Sequence, residues 1–233
     1  MMSASPRRVF QLWLLLLCLS FVASVNPPAQ AQRAAAACDA KWESEIQKFE
    51  ASDRESAPPR GATLFIGSSS IRLWSDLKSD FSSAAVLNRG FGGSEIADST
   101  CFVDRIVAPY KPSMIFLYAG GNDLANGKSP QQVFANFQAF VTRVQLDLPE
   151  TRIAFISIAP NPARWHMVES VKTTNALVKE FTSRDSKLSY VDVFTPMLGA
   201  DGKPRPELFV EDRLHMNRKG YELWRSILQP LVR

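Results

Sequence analysis

The chain has 233 residues, 45% of them hydrophobic, which suffices for one well-buried domain and is short for two. Its formal net charge is +4, and Arg7 and Arg8 supply two of those charges, so no basic stripe remains to grip nucleic acid. Two histidines and three cysteines, none in zinc-ligand spacing, argue against a structural metal.

Residues 1–31 read as an export signal. Arg7-Arg8 precede an apolar stretch from Val9 to Val25, and Ala29-Gln30-Ala31 offers a small-x-small cleavage site. The stretch is close to the roughly 17 residues that span a bilayer, which opens the alternative of an uncleaved anchor. Gln11 and two serines inside it, with Pro27-Pro28 beyond, favour cleavage. The expectation is a secreted or periplasmic protein with no stable membrane insertion after the signal is removed. Cys18 leaves with that segment, and Leu15-Leu16-Leu17 before it do not form a lipoprotein signal. Cys38 and Cys101 remain. In an oxidising compartment they are able to pair, tying the N-terminal helix to the helix after the second strand. Two buried free thiols fit the spacing equally well.

Residues 32–60 comprise an alanine-rich leader, a helix and a linker. The spacing predicts a helix over residues 39–51, with Trp42, Ile46 and Phe49 on one face, and a linker over 52–60 containing Pro58-Pro59. From residue 61 to 233 a single domain is expected, in which strands alternate with helices. Leu64-Phe65-Ile66 runs into Gly67-Ser68-Ser69-Ser70. Ala85-Val86-Leu87 runs into Asn88-Arg89-Gly90-Phe91-Gly92-Gly93. Met114 to Tyr118 runs into Ala119-Gly120-Gly121-Asn122-Asp123. Two more strands are expected over 153–158 and 188–193, and helices over 94–107, 130–148, 163–183 and 217–228. The helix at 130 is the clearest, because Ser129 and Gln132 form a capping box and Pro130 suits the first turn. Continuous apolar strands point to a parallel sheet covered on both faces, hence a three-layer α/β/α sandwich. Residues 196–212 form the longest irregular stretch and deliver Asp212 and His215.

In such a sheet the three glycine-rich turns lie along one rim, where ligands bind. A serine hydroxyl there is a poor nucleophile until a base takes its proton. Asp212, three residues before His215, is able to hold Nδ1–H and leave Nε2 free to accept that proton. Acyl transfer also needs donors for a developing oxyanion, and the Ser69 amide, the Gly93 amide and the Asn122 carboxamide are placed to serve. Taken singly, these residues are also helix caps and turns. At successive strand ends they form a set.

That set resembles the SGNH hydrolases, the GDSL-type esterases and lipases. Their four blocks match Gly67-Ser68-Ser69, Asn88 to Gly93, Gly120 to Asp123, and Asp212 to His215 in order. The resemblance implies a flavodoxin-like five-stranded parallel sheet, a serine nucleophile at Ser69, a triad with Asp212 and His215, an oxyanion hole of Ser69, Gly93 and Asn122, and no cofactor. Ser68 stands where the family usually has an acidic residue, which leaves the register among Ser68, Ser69 and Ser70 to an alanine test. Dinucleotide and Walker patterns are absent, and Ile71 replaces the last glycine of a nucleophile elbow. Trp165 is the candidate cleft wall, His166 a surface histidine, and Trp42, Trp74 and Trp224 are expected in the core. The expected partner is a small-molecule or carbohydrate ester, with short acyl groups such as acetyl favoured because no lid insertion is evident. A lysophospholipase or thioesterase, or a non-catalytic module binding an acyl sugar or lipid, is the alternative.

Overall fold

The expected strands form, and each points alternate side chains into one of two apolar layers. In the computed structural model, which describes Met1 and residues 38–232, they are β1 (Thr63–Gly67), β2 (Val86–Gly90), β3 (Met114–Tyr118), β4 (Arg152–Ile156) and β5 (Leu188–Val191). The stretches expected to be an apolar signal segment, its cleavage site and a leader before Cys38 lie outside the described residues. The strands pair in parallel in the order β2-β1-β3-β4-β5, the doubly wound order whose carboxyl rim carries ligands.

Helices α1 (Glu43–Glu55), α2 (Ser69–Arg72), α3 (Leu77–Asp80), α4 (Ile96–Cys101), α5 (Val103–Ile106), α6 (Gly121–Ala125), α7 (Pro130–Asp147), α8 (Val168–Thr182) and α9 (Arg218–Leu228) complete the frame. Leu64, Ile66, Ile115, Leu117, Ile153 and Phe155 face a layer that holds Ile46 of α1, Phe137 of α7 and Val178 of α8. Phe65, Phe116, Ala154 and Ile156 face the other, which holds Ile71 of α2, Leu77 of α3 and Trp224 of α9. Trp74 and Trp224 are core residues, as expected.

Several boundaries differ from the sequence reading. Strand β2 continues through Asn88-Arg89-Gly90, expected as a turn, because Arg89 is buried against the Asp53 carboxylate and the Tyr110 hydroxyl. The same Asp53 belongs to α1, which runs to Glu55 rather than stopping at 51. The helix expected over 94–107 breaks at Phe102 into α4 and α5. The helix expected from 163 begins as a 3-10 turn, Pro162–Met167, and becomes α8 only at Val168. Strands β4 and β5 each end two residues early. By contrast α7 starts at Pro130 with the capping box in place. Cys38 and Cys101 form a disulfide with Cα atoms 5.7 Å apart, which settles the pairing left open by their spacing.

Beneath the first turn of the rim, α3 and α9 are tied by a buried carboxylate. Asp80 accepts from Trp74 Nε1 at 2.7 Å and from both terminal nitrogens of Arg218 at 2.7 and 2.5 Å. The Arg218 bonds outweigh burial and hold the Asp80 carboxyl below its ordinary 3.8. Its stabilisation is therefore complete above about pH 4 and is lost as pH falls through the lowered folded value. Because Arg218 is partly exposed, Asp80→Asn is expected to cost about 2 kcal/mol at neutral pH. Urea unfolding checks this: the gap to the parent should narrow near pH 2, and an equal gap at both pH values would contradict it.

Candidate active site

Each candidate residue reaches the rim through a local device. Gly67 ends β1 at φ 134°, and Ser68 follows in an extended conformation as the N-cap of α2. Ser69 is thereby the first residue of α2. Its neighbours are held from below: Tyr221 of α9 donates to the Ser70 carbonyl at 3.0 Å, and Asn88 Nδ2 donates to the Ile71 carbonyl at 2.7 Å. Ser68 and Ser70 are both buried, whereas Ser69 is half-buried at the cleft.

His215 arrives on a closed loop. Val210 N–H donates to the His215 carbonyl, Arg213 takes a left-handed φ of 58°, and Asn217 caps α9 while donating to the Glu207 and Phe209 carbonyls. The imidazole Nε2 then lies 2.9 Å from Ser69 Oγ, and Nδ1 lies 2.6 Å from Asp212 Oδ2. Asp212 Oδ1 also accepts the N–H groups of Leu214 and His215 at 2.8 and 2.9 Å. Partial burial pushes the Asp212 carboxyl up, but these bonds prevail and draw it down to about 2. The carboxylate is thus charged wherever the protein is folded near neutrality, fit to orient the ring and to face an imidazolium.

The remaining members come from the second and third turns. Gly93 takes φ 81°, a left-handed conformation that a side chain would resist. Neither its N–H nor that of Ser69 meets a protein acceptor among the described residues. Asn122 lies in α6. Its Nδ2 donates to the Ser94 carbonyl at 3.0 Å, which occupies one of two amide hydrogens and leaves the second free. Its Oδ1 accepts from Arg164 Nη1 at 3.0 Å. Asp123, fully buried, anchors the turn by accepting from the Ile96 N–H at 3.2 Å, Asn136 at 3.2 Å and Lys128 at 3.3 Å.

Ser69, Gly93, Asn122 and His215 line one cleft of about 380 Å³, with Trp42, Glu45, Arg72, Gly92, Arg164 and Leu214 as the other walls. Trp42 was expected in the core. Half-buried, it packs against that core at Phe91, with centroids 5.4 Å apart, and also walls the cleft. Trp165, the expected wall, is half-buried in a small adjoining recess with Arg164, Asn161 and Met167, away from Ser69 and His215. His166 is exposed, as read. Arg72 and Arg164 escaped the sequence reading. Arg72 follows Ser69 at helical spacing i+3, a signal that could have found it. Arg164 reaches Asn122 from a backbone that leaves helical geometry (φ −118°, ψ 23°), which no local pattern announces. Among the described residues no group of three metal-ligating side chains occurs, and no helix is long and apolar enough to cross a membrane.

Comparison with known proteins places the fold. The family described as GDSL-like lipase/acylhydrolase matches residues 61–223. A Streptococcus pneumonia protein with the provisional name platelet activating factor superposes with TM-score 0.73 at 24% identity, covering 83% of this chain and 94% of its own. A GDSL-like lipase from Bacteroides thetaiotaomicron gives 0.67 at 17% identity, over 80% and 96%. An acetyl-xylooligosaccharide esterase variant from Geobacillus stearmophilus gives 0.60 at 14%, over 75% and 95%. At these identities the likenesses show the fold. No curated protein matches the sequence.

Proposed function

This chain belongs to the GDSL-like lipase/acylhydrolase family, and we propose that it is an exported serine esterase working through an acyl-enzyme. The observation that carries the reading is the linked pair of contacts, Asp212 to His215 at 2.6 Å and His215 to Ser69 at 2.9 Å. Ser69 Oγ attacks the ester carbonyl as His215 Nε2 takes its proton, and the Asp212 carboxylate stabilises the imidazolium. The amides of Ser69, Gly93 and Asn122 receive the oxyanion. His215 then protonates the departing alcohol, and water, deprotonated by the same nitrogen, releases the acid and regenerates Ser69.

The donor role of Asn122 has a measurable consequence. Asn122→Ala is expected to lower kcat about 10²- to 10³-fold with KM little changed. Steady-state kinetics at parental activity would remove Asn122 from the hole.

The cleft sets the polar groups of Glu45, Arg72, Asn122 and Arg164 beside the apolar Trp42 and Leu214, a mixed wall that suits a sugar ring with its hydroxyls. That supports short acyl groups, acetyl foremost, on a carbohydrate. Trp165 would contact substrate only where it extends into the adjoining recess. The disulfide supports export, since such bonds persist in oxidising compartments, and residues 1–31 would be the signal. The test compares p-nitrophenyl acetate with the octanoate: acetate should be the better substrate by kcat/KM, and a preference for octanoate would turn the reading to lipid esters.

A further inference from the structure

Two cations line the cleft and neither forms an ion pair among the described residues. Among the described residues the Arg72 side chain forms no ion pair, and the Arg164 guanidinium bonds only to the Gly121 carbonyl at 3.2 Å and to Asn122 Oδ1. Arg89, Arg105 and Arg218, elsewhere in the fold, are each matched by carboxylates. The cleft's own carboxylate, Glu45, is already paired with Lys48 at 2.7 Å, and Asp212 is committed to His215.

Arg164 is half-buried and held by hydrogen bonds, whereas Arg72 is exposed at the cleft mouth. Arg164 spends Nη1 on Gly121 and Asn122, so Nε and Nη2 remain as a planar fork, the geometry that grips a carboxylate or phosphate with two bonds. Arg72 lies against Gly92. A Cβ there would fall 2.6 Å from Arg72 Nε and 3.0 Å from Nη2. Gly92, unlike Gly93, has no left-handed φ, so its backbone would accept any residue. A side chain at position 92 would therefore displace the Arg72 head from where it stands now. Trp42 adds an apolar ring face to the same cleft.

We propose that Arg72 and Arg164 form an anion subsite beside Ser69, and that the substrate is an ester of an acidic sugar carrying a carboxylate or a phosphate. This rests on the esterase reading of the site and names its substrate class. The anion also directs approach, because two unmatched positive charges in a partly walled cleft attract it before contact.

The experiment uses three monoacetyl esters of one ring: acetylated glucose, acetylated glucuronic acid and acetylated glucose 6-phosphate, with acetate release followed for the whole protein. The first two differ only by a hydroxymethyl group against a carboxylate. The parent should favour a charged ester over the neutral one by about tenfold or more in kcat/KM, the scale of one charge-assisted bond. Whichever charged ester leads identifies carboxylate or phosphate as the natural group. Arg72→Gln, Arg164→Gln and Gly92→Ala should each bring the charged-to-neutral ratio toward one, mainly through KM. The ratio is the readout because Arg164 also holds Asn122 and its loss slows every ester. A parent ratio of one or below, with acetylated glucose turned over, overturns the anion subsite and leaves the esterase standing. If the parent cleaves neither these esters nor p-nitrophenyl acetate, the esterase reading fails. Calorimetric titration with glucuronic acid and glucose 6-phosphate then decides the subsite: binding weakened by Arg72→Gln supports it, and no binding overturns it.

Discussion

Alanine at position 69 is expected to abolish ester hydrolysis, lowering kcat by about 10⁴- to 10⁶-fold, while the fold stays intact. The magnitude follows from what is lost. Without Oγ there is no atom to be acylated, and His215 Nε2 faces an empty position where its 2.9 Å partner stood. The residual rate would come from oxyanion donors and substrate positioning, which remain. Stability should hardly change, because Ser69 is half-buried at the cleft and its hydroxyl contacts no core residue. Steady-state kinetics beside a thermal melt separate the two effects. Ser68→Ala and Ser70→Ala should keep far more activity, since it is Ser69 Oγ that His215 Nε2 contacts. A fully active Ser69→Ala protein with an inactive Ser70→Ala counterpart would move the nucleophile by one residue.

The largest structural effect is expected one turn earlier. Gly67 combines φ 134° with a site where a Cβ would overlap the Tyr118 carbonyl oxygen and lie 2.7 Å from its carbon. That carbonyl is backbone in the neighbouring strand β3, and it accepts the Ser68 N–H at 2.9 Å. No rotamer relieves the overlap, so β1 and β3 must separate. Backbone strain and overpacking together put Gly67→Ala at about 3–5 kcal/mol of lost stability. The displaced Ser68 should carry Ser69 away from His215, so kcat should fall as well. Chemical denaturation and kinetics on the same preparation test both parts. A variant of parental stability would show that the strand pair tolerates the shift.

The parts of the fold that were legible in sequence are those set by local chemistry. Strand β3 matches its expected limits, and α7 begins at the residue its capping box marks. Ser69, Gly93 and Asn122 were legible as candidates because the parallel sheet sends the ends of β1, β2 and β3 to one rim. Asp212 and His215 were legible because a three-residue spacing on a turn lets a carboxylate reach an imidazole. What was missed depends on distant partners. Arg89 looks like a turn residue until Asp53 and Tyr110 are seen to bury it. Trp42 packs against the core as its spacing says, but its second role as a cleft wall depends on where the N-terminal turn meets Phe91. Phe102 interrupts a continuous helical pattern where its ring packs against Phe91. Arg164 enters the site only because its turn departs from helical backbone.

The central claim is that Ser69 is the nucleophile of an acyl-enzyme, and covalent capture tests it most directly. The protein would be incubated with a fluorophosphonate, and the peptide containing Ser68, Ser69 and Ser70 sequenced by mass spectrometry. The expected result is one adduct, on Ser69, absent from the Ser69→Ala variant and slowed when His215 is replaced by alanine. An adduct on Ser68 or Ser70, or no adduct on a folded protein, would contradict it.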